Sequence, residues 1–155
     1  MPIRIIEGNL LEADEKFIAH QCNCVSIGSA GLAKTLFQEF PYANVYHTRK
    51  KRGEDELGTI TVCGNGSDKR YVINMFAQYN PGGPDKGRDS PKAREFYFAR
   101  CLHQIELYNP ITPIVSIAFP FKIGCNLGGG NWNNYFKMLK DFSDKTGFEV
   151  TIYKL

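Results

Sequence analysis

The sequence predicts an α/β domain, a three-layer α/β/α sandwich on a mixed central sheet, and three observations lead there. Short apolar runs rich in β-branched residues alternate along the chain with longer segments whose apolar residues recur at helical spacing. One run, IVSIAF at 114–119, is almost continuously apolar, as in a strand covered on both faces. Two junctions between a strand and an amphipathic helix are built from small residues, which let a backbone come close to whatever lies beside it.

Taken in order, residues 3–7 and 17–22 are short strands, each bounded by a turn signal or a polar break. Residues 32–40 form a helix closed by Pro41, with Leu32, Leu36, Phe37 and Phe40 on one face, and 42–52 continue as a second helical piece with a basic end. GTITVC (58–63) and YVINMF (71–76) are strands joined by the turn residues GNGSDK. Residues 80–91, NPGGPDKGRDSP, carry too many prolines and glycines for regular structure, and a loop of this length is a functional flap or mobile. A helix over 92–108 begins with Ser90 as its cap and Pro91 in its first turn. After the 114–119 strand and a glycine-rich turn, Trp132, Tyr135, Phe136, Leu139 and Phe142 mark a helix over 131–145, and 149–153 close the chain as a strand.

The chain of 155 residues is expected to be one domain over 1–155, large enough to bury about two-thirds of its unfolded surface without metal or disulfide. Hydrophobic residues at 43% and charged residues at 23% mark a globular chain rather than a disordered one. A formal charge of +3 is too weak to argue for nucleic acid and suits a small anionic ligand. Five scattered cysteines, an opening stretch without the apolar core of a signal peptide, and no run of about 18 apolar residues imply reduced thiols, no membrane span and a cytoplasmic protein, or also a nuclear one if the source is eukaryotic; a monomer is expected.

The two small-residue junctions carry the chemistry. The first runs Cys22, Asn23, Cys24, Val25, Ser26, Ile27, Gly28, Ser29, Ala30, Gly31 into the helix at Leu32. The second runs Gly124, Cys125, Asn126, Leu127, Gly128, Gly129, Gly130 into the helix at Trp132. Each offers unpaired N–H groups and the positive end of a helix dipole, which makes a phosphate cradle. Two cradles at strand ends of one sheet suit a ligand with two phosphates lying across the crevice. Neither fits G-x-G-x-x-G after the first strand or GxxxxGK[ST], which argues against a nicotinamide enzyme or a phosphate-loop NTPase.

IAHQCNCVSIGSAGLAKTLFQEFP, EGNLL, YVINMFAQY and above all SIAFPFKIGCNLGGGNW resemble the ligand-binding segments of macrodomains, especially the small proteins that process ADP-ribose 1''-phosphate. The likeness runs from Ile3 to Tyr153. It implies an ADP-ribose-binding macrodomain that hydrolyses ADP-ribose 1''-phosphate to ADP-ribose and phosphate. The alternatives are a hydrolase that removes ADP-ribose from protein or nucleic acid, and a non-catalytic reader of ADP-ribose. It implies no cofactor and no metal, with ADP-ribose, ADP-ribose 1''-phosphate or ADP-ribosylated macromolecules as partners.

By the same resemblance Gly8, Asn9 and Leu10 form the adenine side, Asn9 standing where relatives carry an aspartate. Asn23 touches the distal ribose, with Cys22 beside it, and Ser29, Ala30, Gly31 and Leu32 lie against that ribose and phosphate, Ser29 and Ala30 replacing glycines. Pro120, Lys122, Ile123 and Gly124 through Gly130 hold the diphosphate, and Asn131 stands where relatives often have an aspartate. Gln78 takes the place of the lysine, and Gly128 that of the aspartate, with which related hydrolases remove ADP-ribose from DNA or glutamate. For catalysis the expectation rests on Asn23 to position the substrate and on His20 as acid or base, its titration range suiting proton transfer. A role for His20 in holding the loop stands beside that reading. Tyr79 or Phe121 would stack on adenine or ribose, and Asp85, Lys86, Arg88 and Asp89 would close over a phosphate or lie in solvent. His20, Cys22 and Cys24 alternate as ligands on one strand face would, but nothing in the sequence supplies a fourth zinc ligand.

Overall fold

A computed structural model describes residues 3–49, 55–125 and 129–155. Six strands form one sheet in the order β1-β6-β5-β2-β4-β3, with β1 at Ile3–Glu7, β2 at Phe17–Asn23, β3 at Ile60–Cys63, β4 at Tyr71–Gln78, β5 at Ser116–Pro120 and β6 at Glu149–Lys154. All neighbouring pairs are parallel except β3 with β4, which form a hairpin closed by Asn65 N–H to Lys69 C=O at 2.8 Å. The sheet is therefore mixed, and the carboxyl ends of five strands share one edge.

Helices cover both faces. Helix α1 (Gly31–Glu39) buries Leu36 and Phe37 in a cluster with Ile18, Val72 and Phe76, while α2 (Pro91–Tyr108) and α3 (Trp132–Thr146) bury Phe98, Ile105, Tyr135 and Leu139 in a second cluster with Phe17, Ile73, Ile117 and Ile152. Neighbouring residues of one strand, such as Phe17 and Ile18, serve opposite clusters, so the central strands are covered on both faces. Helix α2 starts as the sequence predicts, with Ser90 Oγ accepting from Ala93 N–H at 3.1 Å and Pro91 in the first turn. Helix α3 is capped by Asn131, whose Oδ1 accepts from Asn133 N–H, and ends at Gly147 in the left-handed region (φ 78°). Among the described residues no helix is long and apolar enough to cross a membrane.

The expected helix over 42–52 is corrected for its described part. A 3-10 turn at Pro41–Ala43 is followed by irregular turns, because Asn44 Oδ1 accepts from His47 N–H and the Arg49 side chain is drawn into hydrogen bonds with the first loop. Residues 50–52 lie outside the described residues.

The segment over 80–91 is irregular, as expected, but anchored at its base. The Asp89 carboxylate is buried and accepts from Tyr79 N–H at 2.9 Å, Asn80 Nδ2 at 2.9 Å and Arg94 Nε at 3.2 Å. Arg94 donates in turn to the carbonyls of Gly82 and Asn80. Burial works against the Asp89 charge, yet these hydrogen bonds and Arg94 outweigh it and hold the carboxyl below its ordinary pKa.

Candidate functional site

A cleft of about 370 Å³ opens at the carboxyl edge of the sheet between the chain leaving β2 and the chain leaving β5. It forms there because these neighbouring strands send their connections to opposite faces, β2 to α1 and β5 to α3, so the two loops part above the sheet.

The first loop begins with a register shift between Cys22 and Asn23, which sets Asn23 opposite Gln78 of β4. Asn23 Oδ1 accepts from Val25 N–H at 3.1 Å and Ser26 N–H at 2.8 Å, and Asn23 N–H donates to the Tyr46 hydroxyl at 2.7 Å. Its carbonyl and that of Ser26 accept from the Arg49 guanidinium. The side-chain Nδ2 makes no hydrogen bond among the described residues, and Asn23 lines the cleft, so this N–H₂ is a donor held ready for a ligand. The loop then enters α1 through Gly31 at φ 59°, a left-handed conformation that glycine adopts freely. The residue before it, Ala30, provides no side-chain cap, so the first N–H groups of α1 are left for the cleft.

The second loop starts with Lys122 and Gly124, both in the left-handed region (φ 57° and 75°). Gly130 N–H donates to Gly124 C=O at 2.9 Å, drawing the loop closed over the Tyr135 ring. A Cβ on Gly124 would come within 2.7 Å of that ring, and one on Gly130 within 2.6 Å. Gly129 packs on Pro84, joining this loop to the 80–91 segment. Cys125 donates its thiol to Ile123 C=O, and burial pushes its pKa up to about 11, so it is no thiolate nucleophile. Asn126, Leu127 and Gly128 lie outside the described residues.

Between the loops, Gln21 Nε2 donates to Gln78 Oε1 at 2.7 Å, and Gln78 Nε2 donates to Asn80 C=O at 2.8 Å. The pair therefore presents neutral amides at the cleft floor. Lys122 is the charged residue among the described lining residues, which include no carboxylate, histidine or cysteine.

The structure thus brings Asn23, Ala30, Gly31, Leu32, Gln78, Pro120, Lys122, Ile123 and Gly124 to one cleft, and Phe121 lines it as well. It does not bring His20 there. His20 is 1% exposed beneath α1, its ring edge-on to Phe37, and its Nε2 donates to Asn74 Oδ1 at 2.5 Å. Asn74 is fixed in that sense because its Nδ2 donates to Ala43 C=O and Thr61. Burial lowers the His20 pKa from 6.5 to about 4, against the opposing Asn74 bond, so the imidazole is neutral near pH 7 and out of reach of a ligand in the cleft. The acid–base expectation for His20 gives way to that structural role.

Cys22 is buried against His20 and likewise misses the cleft, as do Ser29, Cys125, Gly129 and Gly130. Gly8, Asn9 and Leu10 sit at the carboxyl end of β1, on the same edge of the sheet but two strands beyond β5, where Asn9 Oδ1 accepts from Leu11 N–H. Arg88 stacks on the Tyr79 ring at 3.3 Å, and neither residue is among those lining this cleft. Among the described residues no group of three histidine, cysteine or acidic side chains could hold a metal ion.

No protein-family model matches the chain. It is 26% identical over 155 residues to an uncharacterized 17.5 kDa protein of Enterobacteria phage T4, covering 94% of this chain and 92% of that one. It is 26% identical over 156 residues to a DNA ADP-ribosyl glycohydrolase of Thermus aquaticus, covering 98% of this chain but 41% of the relative. Among solved structures, the macrodomain of Mycobacterium tuberculosis DarG superposes with a TM-score of 0.80 at 24% identity, over 99% of this chain and 97% of that one. The chain has the macrodomain fold. A Thermosipho africanus DarTG structure in complex with ADP-ribose superposes with a TM-score of 0.74 at 19% identity, covering 97% of this chain and 41% of that one.

Within this fold several lining residues were missed by sequence reasoning: Gln21, Ala33, Tyr46, Pro81 and Gly82. Gln21 carried a usable signal, since it stands two residues before Asn23 on the same strand. Tyr46 carried none. It reaches the cleft only because irregular chain after α1 folds back under the first loop, a contact that no local pattern encodes.

Proposed function

We propose that the cleft binds ADP-ribose and that the protein hydrolyses the terminal phosphoester of ADP-ribose 1''-phosphate. The observation that carries the reading is that two backbone-lined loops from neighbouring parallel strands open onto one cleft, with the free Asn23 amide in the first and Gly124 in the second. The unpaired N–H groups at the start of α1, together with that of Gly124, suit the diphosphate. Asn23 Nδ2 suits a hydroxyl oxygen of the distal ribose.

Lys122, with no carboxylate beside it in the lining, makes the cleft locally positive and favours a ligand bearing one more phosphate. In the reaction a water oxygen bonds to phosphorus, the bond from phosphorus to the C1'' oxygen breaks, and a proton passes to that oxygen. The described lining residues hold no carboxyl or imidazole for that proton, so water or the substrate's own phosphate carries it.

A second reading, cleavage of ADP-ribose from DNA, is favoured by the likeness to the Thermus aquaticus glycohydrolase. Calorimetric titration with ADP-ribose tests the common ground. Phosphate release from ADP-ribose 1''-phosphate and label release from an ADP-ribosylated oligonucleotide then separate the two. Failure of ADP-ribose to bind at millimolar concentration would refute both.

A further inference from the structure

We propose that Arg49 and Tyr46 form a clamp whose task is to aim the Asn23 side-chain amide at the ligand's distal sugar, an assignment that rests on the ADP-ribose reading of the cleft. Neither residue belongs to the two glycine-containing loops. Both approach the first loop from behind, out of the irregular stretch that follows α1.

All the polar atoms of Asn23 but one are engaged within the protein. Its N–H is taken by the Tyr46 hydroxyl at 2.7 Å, its carbonyl by Arg49 Nη2, and its Oδ1 by Val25 and Ser26 N–H. What is left is Nδ2, and with its backbone held on both sides Asn23 can point that group in one direction only. A donor fixed before the ligand arrives avoids the ordering cost that a free side chain bears on binding.

The residue types fit the task. The Arg49 guanidinium is planar, so Nη1 reaches the Ser26 carbonyl at 2.6 Å while Nη2 holds Asn23, two carbonyls three residues apart in one rigid fork. A lysine at this position, with a single charged nitrogen, cannot match that geometry. Arg49 Nε is taken by the Asp55 carboxylate at 2.8 Å, and its guanidinium lies on the Tyr46 ring at 4.5 Å. With 1% of its side chain exposed and its charge already answered by Asp55, Arg49 is a positioning residue rather than an anchor for the ligand's phosphates. Tyr46 completes the clamp by bringing its hydroxyl to Asn23 N–H and its ring to Arg49.

ADP and ADP-ribose share the adenosine and both phosphates and differ by the distal sugar, so the ratio of their affinities isolates what the clamp does. The full chain is titrated calorimetrically with each ligand as wild type, Arg49→Met, Arg49→Lys and Tyr46→Phe, with the unfolding midpoint of each followed in parallel. Wild type is expected to prefer ADP-ribose. Arg49→Met should weaken ADP-ribose by about 10- to 100-fold and leave ADP within about twofold, with Arg49→Lys between the two. Tyr46→Phe, which removes one oxygen, should weaken ADP-ribose by about 3- to 10-fold and carries the test alone if Arg49→Met does not fold. Equal losses for both ligands, or no loss for either, overturn the clamp while leaving ADP-ribose binding intact. A wild-type protein that binds neither ligand refutes the ADP-ribose reading itself and the clamp with it.

Discussion

Gly124→Ala tests how the second loop is held. Gly124 has φ 75°, and a left-handed alanine costs about 1 kcal/mol, partly offset by the smaller entropy of an unfolded chain that has lost a glycine. The packing cost comes on top. The new Cβ would meet Tyr135 Cε2 at 2.7 Å and Gln21 Oε1 at 3.0 Å, both inside van der Waals contact. Tyr135 cannot yield cheaply, because its ring is 1% exposed and lies 4.8 Å from the Phe98 ring in the core beneath α2. Overpacking of this kind costs about 1–3 kcal/mol, so the sum is about 2–3 kcal/mol.

Two controls separate the parts of that figure. Gly82→Ala has the same backbone demand (φ 81°) with nothing within 4 Å of the new Cβ, and should cost about 1 kcal/mol. Gly28→Ala has neither strain nor contact and should leave stability within about 0.5 kcal/mol. Urea unfolding followed by circular dichroism gives all three. If Gly124→Ala costs no more than Gly82→Ala, the loop is not seated on Tyr135 and the geometry of the second cradle is wrong. Adding Tyr135→Leu to Gly124→Ala should recover about 1 kcal/mol or more beyond additivity, since the two sites touch.

Asn23→Asp keeps the oxygen that accepts from Val25 and Ser26 but replaces the free N–H₂ by an anionic oxygen, so the unfolding midpoint should hold while ADP-ribose affinity drops about 10-fold or more; undiminished affinity in calorimetry would take Asn23 out of the site. Asp89→Ala removes the buried counter-charge of Arg94 and should destabilise by about 3–5 kcal/mol, partly restored by Arg94→Met in the same chain; a loss below about 1 kcal/mol in urea unfolding would contradict the anchored 80–91 segment. His20 stays neutral in the fold down to about pH 4, whereas the unfolded chain takes up its proton near 6.5. Stability from this residue is therefore complete above pH 6.5 and falls as the pH drops from 6.5 toward 4, by about 3 kcal/mol at the limit, and His20→Gln should flatten that slope in unfolding curves between pH 7.5 and 4.5.

The fold was legible because its signals are local and repeated. Strand β5 is covered on both faces and lies in an almost continuous apolar run, α3 has aromatic residues on one stripe, and α2 has both a cap and a first-turn proline. The stretch after α1 misled for the opposite reason. Its apolar residues fit a helical pattern, but Asn44 turns the chain and Arg49 is spent on the carbonyls of Asn23 and Ser26, which are far from it in sequence. Intrinsic pattern lost there to tertiary hydrogen bonding.

The site was legible in its backbone and only in part in its side chains. Glycine-containing loops announce themselves, since positive φ at Gly31 and Gly124 and the close approach of Gly130 to Tyr135 restrict what can stand there. Histidine announces itself equally well and misleads, because its chemistry depends on which way a strand residue faces. His20 and Gln21 are adjacent on β2, and alternation sends one under α1 and the other to the cleft. Choosing between them requires knowing which face each helix covers, and that is decided by the handed crossover from β2 to α1 rather than by either residue. The same crossover parts the β2 and β5 loops and makes the cleft, so the turn of chain that hides the histidine is also the one that exposes the amides of Gln21 and Asn23.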